Sequence, residues 1–165
     1  MGLDLIVDEQ LAIARRIVSD GHEVVPAWRI GSPGGEWLLL TRFDHDAPGA
    51  VDRAFHLVRR FMAWRQATWF VQTAEIWLGD QITRRGDEAI VATAISRSAC
   101  IASLQRIDRG PPVRFEAKQT LTRDQLDPAY FSMLPRGEVS FSVQEIAALE
   151  AIFGAEGELP ASRLH

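Results

Sequence analysis

Trp69-Phe70-Val71-Gln72-Thr73-Ala74-Glu75-Ile76-Trp77-Leu78 is apolar on both of its alternating sets, Trp69, Val71 and Trp77 on one and Phe70, Ala74, Ile76 and Leu78 on the other. Successive side chains of a strand point to opposite faces of the sheet, so a run that is oily on both predicts a central strand with both faces covered. Downstream, Glu88 to Ser96 and Cys100 to Ile107 read as two further strands around Arg97-Ser98-Ala99. Val113 to Gln119 alternates between Val113, Phe115, Ala117 and Arg114, Glu116, Lys118, which predicts a fourth. Together they predict an antiparallel meander. Its middle is rich in small side chains (Ala89, Ala92, Ala94, Ser96, Ala99, Ala102, Ser103), which lets a helix come close.

Upstream, Pro48 to about Gln66 returns to a period of 3.6, with Val51, Ala54, Phe55, Val58, Phe61 and Met62 as its stripe and Pro48 suited to the first turn. This is the main helix and the expected occupant of the small-residue patch. Before it, Glu23 to Ile30 and Glu36 to Phe43 are β-rich runs separated by Gly31-Ser32-Pro33-Gly34-Gly35, a hairpin whose first strand Pro26 assigns to a sheet edge. Asp8 is placed to cap a first helix through Leu11, Ile13, Ala14, Ile17 and Val18 to Gly21. At the other end Asp127-Pro128 starts a short helix that Pro135 and Gly137 end. Ser142 and Glu145 form a capping box, with Phe141 and Ile146 as a hydrophobic staple, so a last helix should run from Val143 to about Phe153 and the tail beyond about 154 should fray. The expected fold is a single two-layer α+β domain over 1–165, a mainly antiparallel sheet of N-terminal hairpin plus C-terminal meander packed against helices.

At 165 residues and 47% hydrophobic the chain can bury a core without disulfide or metal. Cys100 is the only cysteine, so no intramolecular disulfide forms and a reducing, cytoplasmic setting is expected. The start, Met1 to Asp8, lacks the basic and apolar regions of a signal peptide or membrane span, and Ile6 stands where a myristoylation signal has Ser or Thr. A net charge of −4 disfavours coating of nucleic acid. One lysine, Lys118, against seventeen arginines, and no asparagine, is a bias of GC-rich coding that we read as bacterial.

Three groups of residues bear on chemistry. Asp44-His45-Asp46 precedes the main helix, and two carboxylates with an imidazole can bind a divalent cation or activate water, although acids before a helix also complement its dipole. His22 and His56 are not tied to that loop by spacing, and His56 suits a surface pair with Asp52. Glu75, in the central strand, is a general acid, the partner of an arginine such as Arg42 or Arg106 at a sheet face, or a side chain that protrudes where the sheet is uncovered. Arg53, Arg59, Arg60 and Arg65, with Trp64 and Trp69 nearby and Arg84-Arg85 as an extension, can hold a phosphate or stack a base. Solvation of an amphipathic helix demands such charges in any case. Cys100 has no histidine near it in sequence to activate it and reads as core, and Ser96, Ser98 and Ser103 lie outside any Gly-x-Ser-x-Gly elbow. The glycine-rich Gly31 to Gly35 precedes a strand and has no Lys-Ser/Thr pair, which excludes a P-loop, and no Cys-x-x-Cys or His-Glu-x-x-His motif occurs.

No cofactor is expected. Several strands oily on both sides, five tryptophans and few helices imply a sheet face incompletely covered, which a twofold homodimer commonly completes. The leading expectation is a non-enzymatic, self-associating protein that binds another macromolecule as an adaptor or inhibitor. A metal-assisted hydrolase using Asp44, His45 and Asp46 with Glu75 comes second, and a phosphate or nucleotide binder using the main-helix arginines third.

Overall fold

A computed structural model describes residues 2–41, 47–78 and 88–153. The fold is α+β with a mainly antiparallel sheet. In chain order its elements are α1 (Leu3–Ser19), β1 (Ala27–Ser32), β2 (Gly35–Leu40), α2 (Ala50–Trp64), β3 (Trp69–Trp77), β4 (Glu88–Ser96), β5 (Cys100–Asp108), β6 (Arg114–Phe115), β7 (Gln119–Leu121), two 3-10 turns (Arg123–Gln125 and Pro128–Ser132) and α3 (Val143–Phe153). Hydrogen bonds link the strands in the order β2-β1-β3-β4-β5-β6, with β7 also on β5. Two compact units emerge, residues 1–26 with 71–126, and 27–70 with 127–165.

In the first unit α1 packs on β4 and β5, so the small-residue patch of the meander receives α1, where the main helix was expected. Small side chains fill the middle of both strands, Ala92 and Ser103 on one face and Thr93 and Ala102 on the other, all four buried. The helix begins at Leu3, capped by the backbone of Gly2, and Asp8 is not its cap. Ile6 and Val7 extend the buried stripe of Gln10, Leu11, Ala14 and Val18 about one turn further back, which outweighs a favourable capping residue at position 8. Asp8 lies on the solvent side, where its carboxylate accepts from Lys118 Nζ at 2.6 Å. Strands β4 and β5 pair antiparallel from Glu88↔Ile107 to Ile95↔Cys100. The turn between them is closed by Ser96 Oγ, which accepts from the backbone N–H of Ser98 and Ala99. The expected fourth strand divides into β6 and β7, and both pair with β5. Phe70, Val71, Gln72 and Thr73 are buried in succession, as are Ala92 to Ile95, so the central strands are sheltered on both alternating sets. The incompletely covered face inferred from apolar content is therefore absent at the middle of β3 and β4.

In the second unit β1 and β2 form a tighter hairpin than expected. Ser32 pairs with Gly35, leaving Pro33-Gly34 as the loop. Pro26 sits just before β1, outside the ladder, so β1 is an interior strand and β2 takes the edge. Gly31 is where the backbone meets a ring: a Cβ there would lie 2.0 Å from Trp69 Cε2, and the Gly31 carbonyl accepts from Thr68 N–H at 2.8 Å. Helix α2 starts at Ala50, two residues after Pro48, because Gly49 supplies a left-handed residue at its N-cap, φ 71°. It buries Val58, Phe61 and Met62 and leaves Val51 exposed. Phe61 lies edge-on to Trp37 and Trp64 and 4.9 Å from Phe153, which ties α3 to α2. Helix α3 has the expected bounds, with reciprocal bonds from Ser142 N–H to Glu145 Oε2 (2.8 Å) and from Glu145 N–H to Ser142 Oγ (3.1 Å).

A second aromatic set joins Trp28, Phe55, Phe70 and Tyr130. Trp28 is 5.1 Å from Phe55 and 5.7 Å from Phe70, and donates from Nε1 to Thr41 Oγ1. Tyr130 stacks on Phe70 and lies 5.4 Å from Phe55, where burial, aided by the charge of Asp127, pushes its phenol up to about 12. Its folded value exceeds the ordinary 10, so the stabilisation is fully present below pH 10 and is lost as pH rises through about 12. It is the only tyrosine in the chain, so an ultraviolet titration reads it alone. Phenolate absorbance is expected to stay flat past pH 10 and rise near 12; a midpoint at the ordinary value would show the ring to be solvated.

Candidate functional site

Glu75 reaches the inner part of a small ion cluster. Its Oε1 accepts from Arg109 Nη2 and its Oε2 accepts from the backbone N–H of Val24 at 3.1 Å. Arg109 Nε donates to Glu88, so one guanidinium bridges carboxylates from β3 and β4. The Glu75 and Glu88 side chains are 11% and 16% exposed and that of Arg109 33%, so the acids are held in and the cation faces outward. Burial works to lower the Arg109 pKa, but the hydrogen bonds and charges of Glu88 and Glu75 outweigh it and raise the net value. The arginine that meets Glu75 is thus Arg109; of the two expected, Arg106 sits 3.9 Å from Glu116 and Arg42 lies outside the described residues. Both carboxylate oxygens of Glu75 are engaged, one by a cation and one by a backbone amide.

The Asp44-His45-Asp46 loop lies outside the described residues. Among those described, no group of three or more His, Cys, Asp or Glu side chains is arranged to hold a metal ion. His22 and His56 are exposed. The Cys100 thiol is half-buried, and burial pushes its pKa up against a weaker pull from Arg123, the opposite of what a thiolate nucleophile needs.

The α2 arginines do not converge. Arg53 donates to the Pro48 carbonyl, Arg59 to Ser132 Oγ and Arg60 to Glu145, and Arg60 also covers the ring of Phe141. Arg65 lies 3.8 Å from the Trp64 ring centroid, its pKa lowered by burial against the opposing charge of Glu150. Arg53 and Arg60 share a side of the helix but stand about 10 Å apart along its axis, at about 1.5 Å per residue.

The exposed edge of β2 has a different character. Its register sets Trp37 opposite Ile30, Leu38 opposite Arg29 and Leu39 opposite Trp28. Leu39 is fully buried, while Leu38 on the other face is 49% exposed. Glu36, the only charged residue of the strand, accepts from Arg29 Nε at 3.1 Å and from its Nη2 at 3.0 Å. A two-residue loop makes Ser32 and Gly35 a hydrogen-bonded pair, and alternation from there turns the main-chain groups of Gly35, Trp37 and Leu39 toward β1. Those of Glu36, Leu38 and Leu40 therefore point away from the sheet. Among the described residues no strand occupies that side. Natural edges are usually guarded by lysine, proline, a bulge or short length. Two- and three-residue strands β6 and β7, beyond Pro111-Pro112, guard β5 in this way, whereas β2 has six residues and carries only the single charge of Glu36.

The sequence missed this feature because Pro26 drew the edge assignment to β1. The signal that could have found it is Trp37 to Leu40, four apolar residues in a row beside a hairpin turn. No helix among the described residues is long and apolar enough to cross a membrane. Comparison with known proteins found no matching family model, no similar curated protein and no similar solved structure.

Proposed function

We propose that this chain is a non-enzymatic interaction protein of the adaptor or inhibitor type, which self-associates and offers a surface to another macromolecule. The observation that carries the reading is the edge of β2, on which no other strand among the described residues sits, with Leu38 half exposed in an apolar run. Such an edge is a template for another strand, and proteins that do not use one suppress it. The engagement of Glu75 by Arg109 and Val24, and of the α2 arginines by their own neighbours, supports a binding role over catalysis. A lone thiol of raised pKa suits the reducing cytoplasm. Size-exclusion chromatography with light scattering tests the self-association. The expected mass at micromolar protein is twice 18.4 kDa, falling toward 18.4 kDa on dilution, and a monomer at every concentration contradicts it.

A further inference from the structure

From the way α3 is seated we infer that it is a displaceable strap, and that the face of α2 beneath it is a groove for a partner protein's amphipathic helix with acids beside its apolar stripe. This adds a second surface to the self-associating reading and does not rest on it. Helix α3 has 11 residues, fewer than the about 12–15 at which an isolated helix holds by itself, so its order depends on docking. Yet only Leu149 and Phe153 are buried, Ile146 is half-buried, and Val143 is almost wholly exposed. Its polar tie to α2, from Arg60 to Glu145, lies at the surface. An element held by so few buried contacts opens before the rest of its unit. Residues 134–140, which lead toward it, form neither helix nor strand and can absorb the movement.

The ligand class is read from α3 itself. Ile146, Leu149 and Phe153 recur at i, i+3 and i+7, one stripe of a helix, and at about 100° per residue Glu145 and Glu150 flank that stripe on either side. Opposite, α2 presents Phe61, 4.9 Å from Phe153, between Arg60 and Arg65. Arg60 Nη2 donates to Glu145 Oε1 at 2.9 Å, and Arg65 feels the charge of Glu150. Trp37 and Trp64 stand edge-on to Phe61 and wall the site with rings. Apolar anchors at i, i+3 and i+7 laid into a groove are a general mode of helix recognition, and arginines on both sides select acids that flank the anchors.

The test uses full-length chain. In native-state hydrogen exchange the amides of Ala147 to Phe153 should exchange at least about a hundredfold faster than those of Val58 to Met62. Glu145→Arg breaks the capping box and sets like charges together at Arg60, so it opens α3 without touching the core. A fluorescein-labelled peptide of residues 141–153, standing in for the partner helix, should bind that variant at least about tenfold more tightly than wild type, whose own α3 competes. Binding should weaken as salt is raised, and a peptide carrying Leu149→Asp and Phe153→Asp should not bind. Circular dichroism establishes that the variant is folded. Protection of α3 equal to that of α2, or a folded Glu145→Arg chain that does not bind the peptide, overturns the inference. A wild-type dimer that the peptide dissociates would assign the groove to the α3 of a second copy and overturn the partner assignment.

Discussion

Gly31→Ala is expected to lower the stability of the protein by about 3 kcal/mol, the upper end for inserting a methyl group into a filled space. The added Cβ would fall 2.0 Å from Trp69 Cε2 and 2.3 Å from Nε1, so the indole or the β1 backbone must move. Backbone motion is resisted on one side by the Thr68 N–H bond to the Gly31 carbonyl and on the other by the hydrogen-bonded pairs that flank it, Ser32↔Gly35 and Ile30↔Trp37. The clash is with a single side chain, which makes the origin checkable. Gly31→Ala combined with Trp69→Leu should lose clearly less than the sum of the two single changes in urea unfolding, and simple additivity would place the cost elsewhere.

Arg109→Met should cost about 3 kcal/mol, the low end for breaking a buried ion pair, because the guanidinium is a third exposed. The loss comes from the acids left behind: Glu75 and Glu88 would remain close together and largely enclosed without a cation. Arg109→Lys should recover only part of it, since one ammonium cannot reproduce a fork that reaches two carboxylates. Adding Glu75→Gln and Glu88→Gln to Arg109→Met should restore most of the stability by removing both charges. Because the Arg109 value is raised above that of a free guanidinium, its contribution is complete at lower pH and declines only as pH climbs through that raised value. The difference between wild type and Arg109→Lys, both cationic at neutral pH, should therefore be flat from about pH 6 to about pH 9. A triple variant no more stable than Arg109→Met would contradict the electrostatic origin.

Where a signal was local, sequence and structure coincide. Helix α3 has its predicted bounds because Ser142 and Glu145 bond reciprocally within four residues. Strand β4 runs from Glu88 to Ser96 as read, and the 3-10 turn at Pro128 is capped by Asp127, whose Oδ1 accepts from Ala129 N–H. The departures occur where two local signals competed or where a distant partner decided. Asp8 resembled a cap, but burial of Ile6 and Val7 carries α1 past it. Gly31, Ser32 and Gly35 looked like loop and are strand, because Trp69 needs the space that a glycine leaves. Which helix fills the alanine-rich patch is a tertiary choice that periodicity does not encode.

The same division holds for the site. Glu75 stood out because a carboxylate inside an oily strand requires a partner, but Arg109, 34 residues away and beyond β5, carries no pattern that links it to β3. The edge of β2 depended on strand order, which one sequence does not specify.

Amide hydrogen exchange of Glu36, Leu38 and Leu40, followed as protein concentration is raised, tests the central claim most directly. Trp37 and Leu39, bonded to β1, provide the internal reference and should be slow at every concentration. The account predicts that Glu36, Leu38 and Leu40 exchange quickly in dilute protein and slow together as dimer forms. Exchange at these three amides that is equally fast at all concentrations, while the chain is dimeric, would contradict it.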